Sequence, residues 1–205
     1  MAYRKTRKVR EQLAGKKETI LKAAKEVLAE ESTGRASIKK IAGKAGIATG
    51  TFYLYFPSKE KLLETIIDEM YKKLLDNIKS ERARANSLYE KLQFSMEACI
   101  RLFVQEKKLA KILLIQIPGV SAAINRKLVG LENHLVNLTK KDLDELQEQG
   151  LIPAQDTLTM ATAFVGTFRQ VITSWLREGR PEDPEEFLAT LIQYNLRGLG
   201  KDGEK

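Results

Sequence analysis

With one cysteine (Cys99) and one histidine (His134) in 205 residues, the chain lacks most of what enzymes and secreted domains are built from. A single cysteine excludes an internal disulfide, and with it the cross-linked framework of a small secreted domain. No cluster has metal-ligand spacing, no glycine-rich phosphate loop follows a strand, and no nucleophile elbow occurs. Carboxylates are scattered along polar faces. Enzyme activity is therefore not expected, and no metal or cofactor is called for. No run approaches the roughly 20 apolar residues of a membrane span. The opening residues MAYRKTRKVR have no apolar centre of a signal peptide. These absences predict a soluble, cytoplasmic protein. Strand-type alternation is also scarce.

What is present is basic charge, placed unevenly. The net charge is +8, yet residues 1–61 hold 15 Lys/Arg against 6 Asp/Glu, and residues 62–205 hold 20 against 21. The whole basic excess sits in the first third, where it attracts polyanions through long-range steering and counterion release. A membrane surface would attract it too, but the charge accompanies turn glycines instead of an amphipathic helix.

Apolar residues recur at three- and four-residue spacing throughout, which predicts an all-α chain of about nine helices. Ile20, Leu21, Ala24, Val27 and Leu28 mark a first helix, with Gly34 as a left-handed cap beyond it. Ser37 caps a second helix with Ile38, Ile41, Ala42 and Ala45 on its inner face, and Gly46 supplies a turn. A short third helix covers about 48–55. Ser58 caps a long fourth helix after Pro57. Further helices are expected at about 87–106, 107–117, 121–149, 157–178 and 184–199, with breaks at Pro118-Gly119 and Gly150. Asp156 is placed to cap the eighth, and Pro184 to open the ninth. The last two are apolar on more than one side, which suits a core position and also a symmetric dimer interface.

Ser37 to Leu63, SIKKIAGKAGIATGTFYLYFPSKEKLL, is the most informative segment. The ordered set Ile41-Ala42, Ala45-Gly46-Ile47, Gly50-Thr51, Tyr53, Tyr55-Phe56 and Lys59 resembles the tetracycline-repressor (TetR) family of bacterial transcriptional regulators. The resemblance implies a helix-turn-helix DNA-binding head at 16–61, preceded by a basic flexible arm at 1–15. A larger helical body at 62–205 would bind an effector and dimerise. Ile38, Ile41, Ala45, Ile47, Phe52 and Phe56 are spaced to lock the head together. Ser37, Thr51, Tyr53 and Tyr55 offer hydroxyls to phosphate oxygens, which sets register without reading sequence. Lys59 resembles the family's phosphate-binding lysine, at a helix N-terminus that itself favours an anion. Gly50 permits close approach. By resemblance, base reading falls to Lys39, Ala48, Thr49 and Thr51. Ala48 departs from the serine or similar polar residue of many members, so apolar contact or shape readout is expected there. Arg4, Lys5, Arg7, Lys8 and Arg10 form the arm, either reaching DNA or serving as a solubilising tail.

The resemblance also implies a small molecule that binds the body, tilts the fourth helix and separates two heads of a dimer on a palindromic operator. Candidate lining residues are Phe94, Cys99, Phe103, Leu114, Leu138, Phe164, Phe168 and Trp175, for each of which plain core packing is the favoured alternative. His134 and Arg169 are polar candidates, with Arg169 able to meet a carboxylate or phosphate or simply an acidic neighbour. VGTFRQVITSWLREG and GTFYLYF look like the fatty-acid-degradation branch, whose effectors are acyl-CoA molecules. Long-chain acyl-CoA is the effector expected first, and a hydrophobic drug or other amphipathic compound next. The competing reading of the whole chain is a ligand-free architectural DNA-binding protein.

Overall fold

The computed structural model describes residues 7–180 and 182–200, and the chain divides into two compact units, 1–69 and 70–205. Among the described residues there are nine α-helices and one π-helical turn, with no strand.

In the first unit, α1 (Arg7–Glu30), α2 (Ile38–Lys44), α3 (Thr49–Tyr53) and the start of α4 (Lys59–Arg82) enclose a small core. Ile20, Ala24, Leu28, Ile41, Phe52, Phe56, Leu62 and Ile66 form its centre and are almost wholly excluded from solvent. On α1 and α4 they fall four apart, the spacing that brings side chains to one face. Of the six residues expected to lock the head, Ile41, Phe52 and Phe56 are buried, while Ile38, Ala45 and Ile47 are half-buried.

Local chemistry sets the boundaries. The Ser37 Oγ accepts from the Lys40 N–H at 3.2 Å and caps α2, and the Ser58 Oγ accepts from the Lys61 N–H at 3.1 Å at the head of α4. Gly46 takes a φ of 66°, a left-handed conformation that lets α2 turn into α3 and that a residue with a Cβ adopts only under strain.

Three expectations need correction here. Gly34 is not left-handed: the Ala36 N–H and Arg35 N–H both return to the Ser32 carbonyl, closing the turn without a positive φ. Residues 7–15, assigned to a flexible arm, are the first turns of α1. Their Arg, Lys, Glu, Gln and Leu are good helix formers, so an apolar face is not needed to continue the helix. The rest of the arm, with Arg4 and Lys5, lies outside the described residues. Finally, the first unit runs to Glu69, beyond the expected boundary at residue 61, because Leu62, Leu63, Ile66 and Ile67 are buried in it.

The second unit holds the remainder of α4, then α5 (Leu88–Gln105), α6 (Lys107–Lys111), α7 (Ala122–Glu148), α8 (Thr157–Glu178) and α9 (Pro184–Gly198). Helix α6 runs into a π-helical turn over Ile112–Gln116, where the sequence suggested one regular helix. The Ile117 N–H reaches the Ile112 carbonyl at 2.9 Å, one residue further back than in an α-helix. Ser87, Ser121, Asp156 and Asp183 cap α5, α7, α8 and α9, and Pro184 occupies the first turn of α9. Gly150 and Gly179, at φ 68° and 71°, end α7 and α8. Helices α7 and α8 form the most extensive pair, and α9 packs on α5 and α8. Along α7, Leu128, Leu131, Leu135 and Leu138 are only half-buried, whereas Val136, Thr139, Asp142 and Leu143 turn inward beside Ile124 and Leu146.

Candidate DNA-binding surface and effector cavity

In the first unit the sequence places its polar candidates around α3, and the fold turns most of them outward. Ser37, Lys39, Ala48, Thr49, Gly50 and Tyr53 are exposed, and Thr51, Tyr55 and Lys59 are half-buried. Phe52 points into the core and anchors the short helix. Thr49 and Tyr53, four apart, lie on one side of α3, and both are exposed. Tyr53 keeps 50% of its surface accessible although its ring stands edge-on to Phe52 at 5.6 Å. Ala48 is the N-cap of α3 and supplies no side-chain cap, so the first N–H groups of that helix are left to other acceptors.

The lysines of α2 are not equivalent. Lys40 pairs with Glu31 at 2.7 Å, and Lys44 with Glu30 at 2.8 Å and Glu26 at 3.5 Å. Lys39 has no ion pair among the described residues and projects its charge freely. Lys59 is held differently: its Nζ donates to the Thr33 carbonyl oxygen, and burial lowers its pKa from the usual lysine value. An ammonium carries three donors, so this bond aims the group and leaves capacity for an anion.

In the second unit, α4, α5, α7 and α8 leave a cavity of about 40 Å³ between them. Ile78 and Arg82 come from α4, Ser95, Met96 and Cys99 from α5, Leu135, Leu138 and Thr139 from α7, and Phe164, Val165 and Phe168 from α8. Four of the sequence candidates thus meet: Cys99, Leu138, Phe164 and Phe168. Burial pushes the Cys99 thiol up to about 12, so it is a neutral, apolar wall and no nucleophile.

The other candidates lie elsewhere. Phe103 stacks against Phe168 at 5.8 Å behind the lining. Phe94 is half-buried, and Leu114 sits half-buried in the π-helical turn. Trp175 is buried under the Lys107 ammonium, 4.3 Å from its ring centre, and beside Phe187. His134 is exposed, edge-on to Tyr71 at 5.9 Å. Arg169 is 62% exposed and faces Glu132 at 3.4 Å, the acidic-neighbour reading of that residue.

Sequence reasoning missed Arg82 and Asp142. Arg82 Nη1 and Nη2 donate to Asp142 Oδ2 and Oδ1 at 2.6 and 2.7 Å, and Nη1 also donates to Ser95 Oγ at 3.1 Å. Their signal was present, since Asp142 falls in the inward-facing series Val136, Thr139, Leu143, Leu146 of α7.

The model for "Bacterial regulatory proteins, tetR family" matches residues 20–66, and that for "Tetracyclin repressor-like, C-terminal domain" matches residues 85–199, more than half of the chain. The chain belongs to the TetR family. This TetR-family protein is 25% identical over 181 residues to the fatty acid metabolism regulator protein of Bacillus subtilis, covering 88% of this chain and 93% of that one. Among solved structures it resembles the fatty acid degradation regulator FadR from Bacillus halodurans, with 28% identity, a TM-score of 0.79, and 89% and 98% of the two chains covered. It also shares the fold of FadR from Bacillus subtilis in complex with stearoyl-CoA, with 23% identity, a TM-score of 0.77, and 88% and 98% covered. As a member of this family it is a DNA-binding transcription regulator and not an enzyme, and the first family match contains the α2–α3 unit. Among the described residues no helix is long and apolar enough to cross a membrane.

Proposed function

We propose that the chain is a cytoplasmic homodimeric repressor of a palindromic operator, released by long-chain acyl-CoA. The exposure of Lys39, Thr49 and Tyr53 on a family-type helix-turn-helix carries the DNA part of this reading. Ser37, Thr51, Tyr53, Tyr55 and Lys59 hold phosphates, Lys39, Ala48 and Thr49 meet base edges, and Gly50 admits the backbone closely. The likeness to regulators of fatty acid metabolism supports the effector class.

The cavity as it stands is small. At about 40 Å³ it holds little more than a water or two, against the roughly 300–1,000 Å³ of sites that enclose organic ligands. An acyl chain therefore binds a wider conformation, and its binding energy goes partly into populating that state, which is how a ligand shifts an equilibrium.

Tyr53→Phe and Lys59→Ala should weaken binding to all duplexes alike, and Lys59→Ala should lower the salt slope by about 1. Substituting Thr49 or Lys39 should instead change operator preference, at about 1–3 kcal/mol for the matched base. Fluorescence-anisotropy titrations at several salt concentrations separate the two classes. Unchanged operator binding by the Tyr53 and Lys59 variants would refute the docking roles. Adding stearoyl-CoA to the protein–operator complex should release the DNA; retention across all chain lengths rejects the effector.

Dimerisation is assigned to the outer faces of α8 and α9, whose large exposed apolar side chains are Leu158 and Tyr194, the latter 66% accessible. Two-fold docking requires recognition helices about 34–36 Å apart, so half-sites are engaged together or weakly. Tyr194→Glu should convert dimers to monomers in sedimentation velocity and cost operator affinity, whereas a variant that stays dimeric would place the interface elsewhere.

A further inference from the structure

The cavity wall is apolar except where Arg82, Ser95 and Thr139 reach it. Arg82 is well shielded there, and its partner Asp142 is buried next to it outside the lining itself, with side chains only 17% and 3% exposed. Asp142 engages Arg82 through both oxygens, and the guanidinium also donates to Ser95, whose own hydroxyl donates to the Lys91 carbonyl at 2.6 Å. The charge of Arg82 is thus cancelled by a partner in direct contact. Its donor capacity is not exhausted. Of five guanidinium N–H groups, Asp142 takes two and Ser95 one, and the Nε–H and one Nη2–H remain.

A donor without net charge suits a neutral acceptor. The carbonyl oxygen of a thioester or ester is such a group. A free carboxylate would bring a second negative charge beside Asp142 in a poorly solvated site, where like charges repel strongly. We infer that the Arg82–Asp142 pair makes this cavity select the esterified acyl chain over the free fatty acid, with Arg82 donating to the thioester carbonyl and Asp142 excluding the carboxylate. This inference rests on the proposed reading of the second unit as an acyl-chain site. It adds which chemical form of the chain is accepted and which residues decide.

The test uses the full chain and two probes, the N-acetylcysteamine thioester of lauric acid and laurate, titrated calorimetrically at pH 8. The thioester should bind wild type at least about tenfold more tightly. Any apolar cavity would show part of that preference, so Asp142→Asn decides. Removing the carboxylate exposes the charge of Arg82, and laurate should then tighten by about tenfold while the thioester changes by less than about threefold. A laurate-to-thioester ratio that Asp142→Asn leaves unchanged, or laurate binding wild type as tightly as the thioester, overturns the inference while leaving the acyl-chain reading intact. If neither probe binds wild type, the acyl-chain reading falls and takes the inference with it. Should Asp142→Asn fail to fold by circular dichroism, the paired change Arg82→Met with Asp142→Leu removes both charges together. It should weaken thioester binding by about tenfold, and undiminished binding again overturns the assignment.

Discussion

Replacing Asp142 with alanine should lower the unfolding free energy by about 3–5 kcal/mol, read as a fall in the urea midpoint with an unchanged slope. The size follows from burial. Among the described residues Asp142 is the only charged side chain shut away from solvent, and its one hydrogen-bond partner there, Arg82, loses both strong hydrogen bonds at once. Without the carboxylate the variant must carry an uncompensated guanidinium or open the helices to water. The cost is one of mismatch and not a measure of what the pair contributes. The paired change Arg82→Met with Asp142→Leu should therefore recover most of the loss, because two apolar groups need no partners. If the double variant were as unstable as Asp142→Ala, the pair would be contributing stability directly.

Phe52→Ala should cost about 3–5 kcal/mol, the range for a fully enclosed phenylalanine, and should abolish operator binding. Phe52 is 0% accessible and packs against Phe56 at 5.7 Å, holding the five-residue α3 onto the head. A helix that short has no stability of its own and exists through its packing. The first unit is also small, so a loss of this size rivals the whole stability expected of about 69 residues, roughly 3–10 kcal/mol. Anisotropy titration with operator DNA and a thermal melt should both report it, and operator affinity retained at 20 °C would show that α3 is held by other contacts.

The two variants probe parts of the molecule that differ in how readable they were. The head was legible because its determinants are local. Ser37 and Ser58 cap helices by reaching N–H groups three residues on, Gly46 turns where only glycine turns freely, and Ile41 and Phe52 repeat on helical faces. Local propensity also explains one error there. A largely polar stretch with Arg7, Lys8, Arg10, Glu11 and Gln12 carries α1 back to Arg7, since polarity opposes burial and not helix formation.

In the body the same reasoning recovered the helices and only part of the cavity. Phe164 and Phe168 lie four apart on α8 and both line it, but Trp175, on the same helix, is covered by Lys107 and Phe187. A stripe of apolar residues says that a helix is covered, not by what. His134 and Arg169 looked suited to a ligand by composition, yet they are turned to the surface and to Glu132.

Taken alone, the order of residues determined an all-helical chain and a basic helix-turn-helix head with its caps and turn. These depend on groups within one or two helical turns of each other. Only the tertiary structure decided that Asp142 is buried and met by Arg82, 60 positions away in the chain, and that four helices close on about 40 Å³. A buried charge is stable only with its partner, and a cavity is what remains after four helices settle their rotations. Neither is a property of any one segment, so neither can be read from its periodicity.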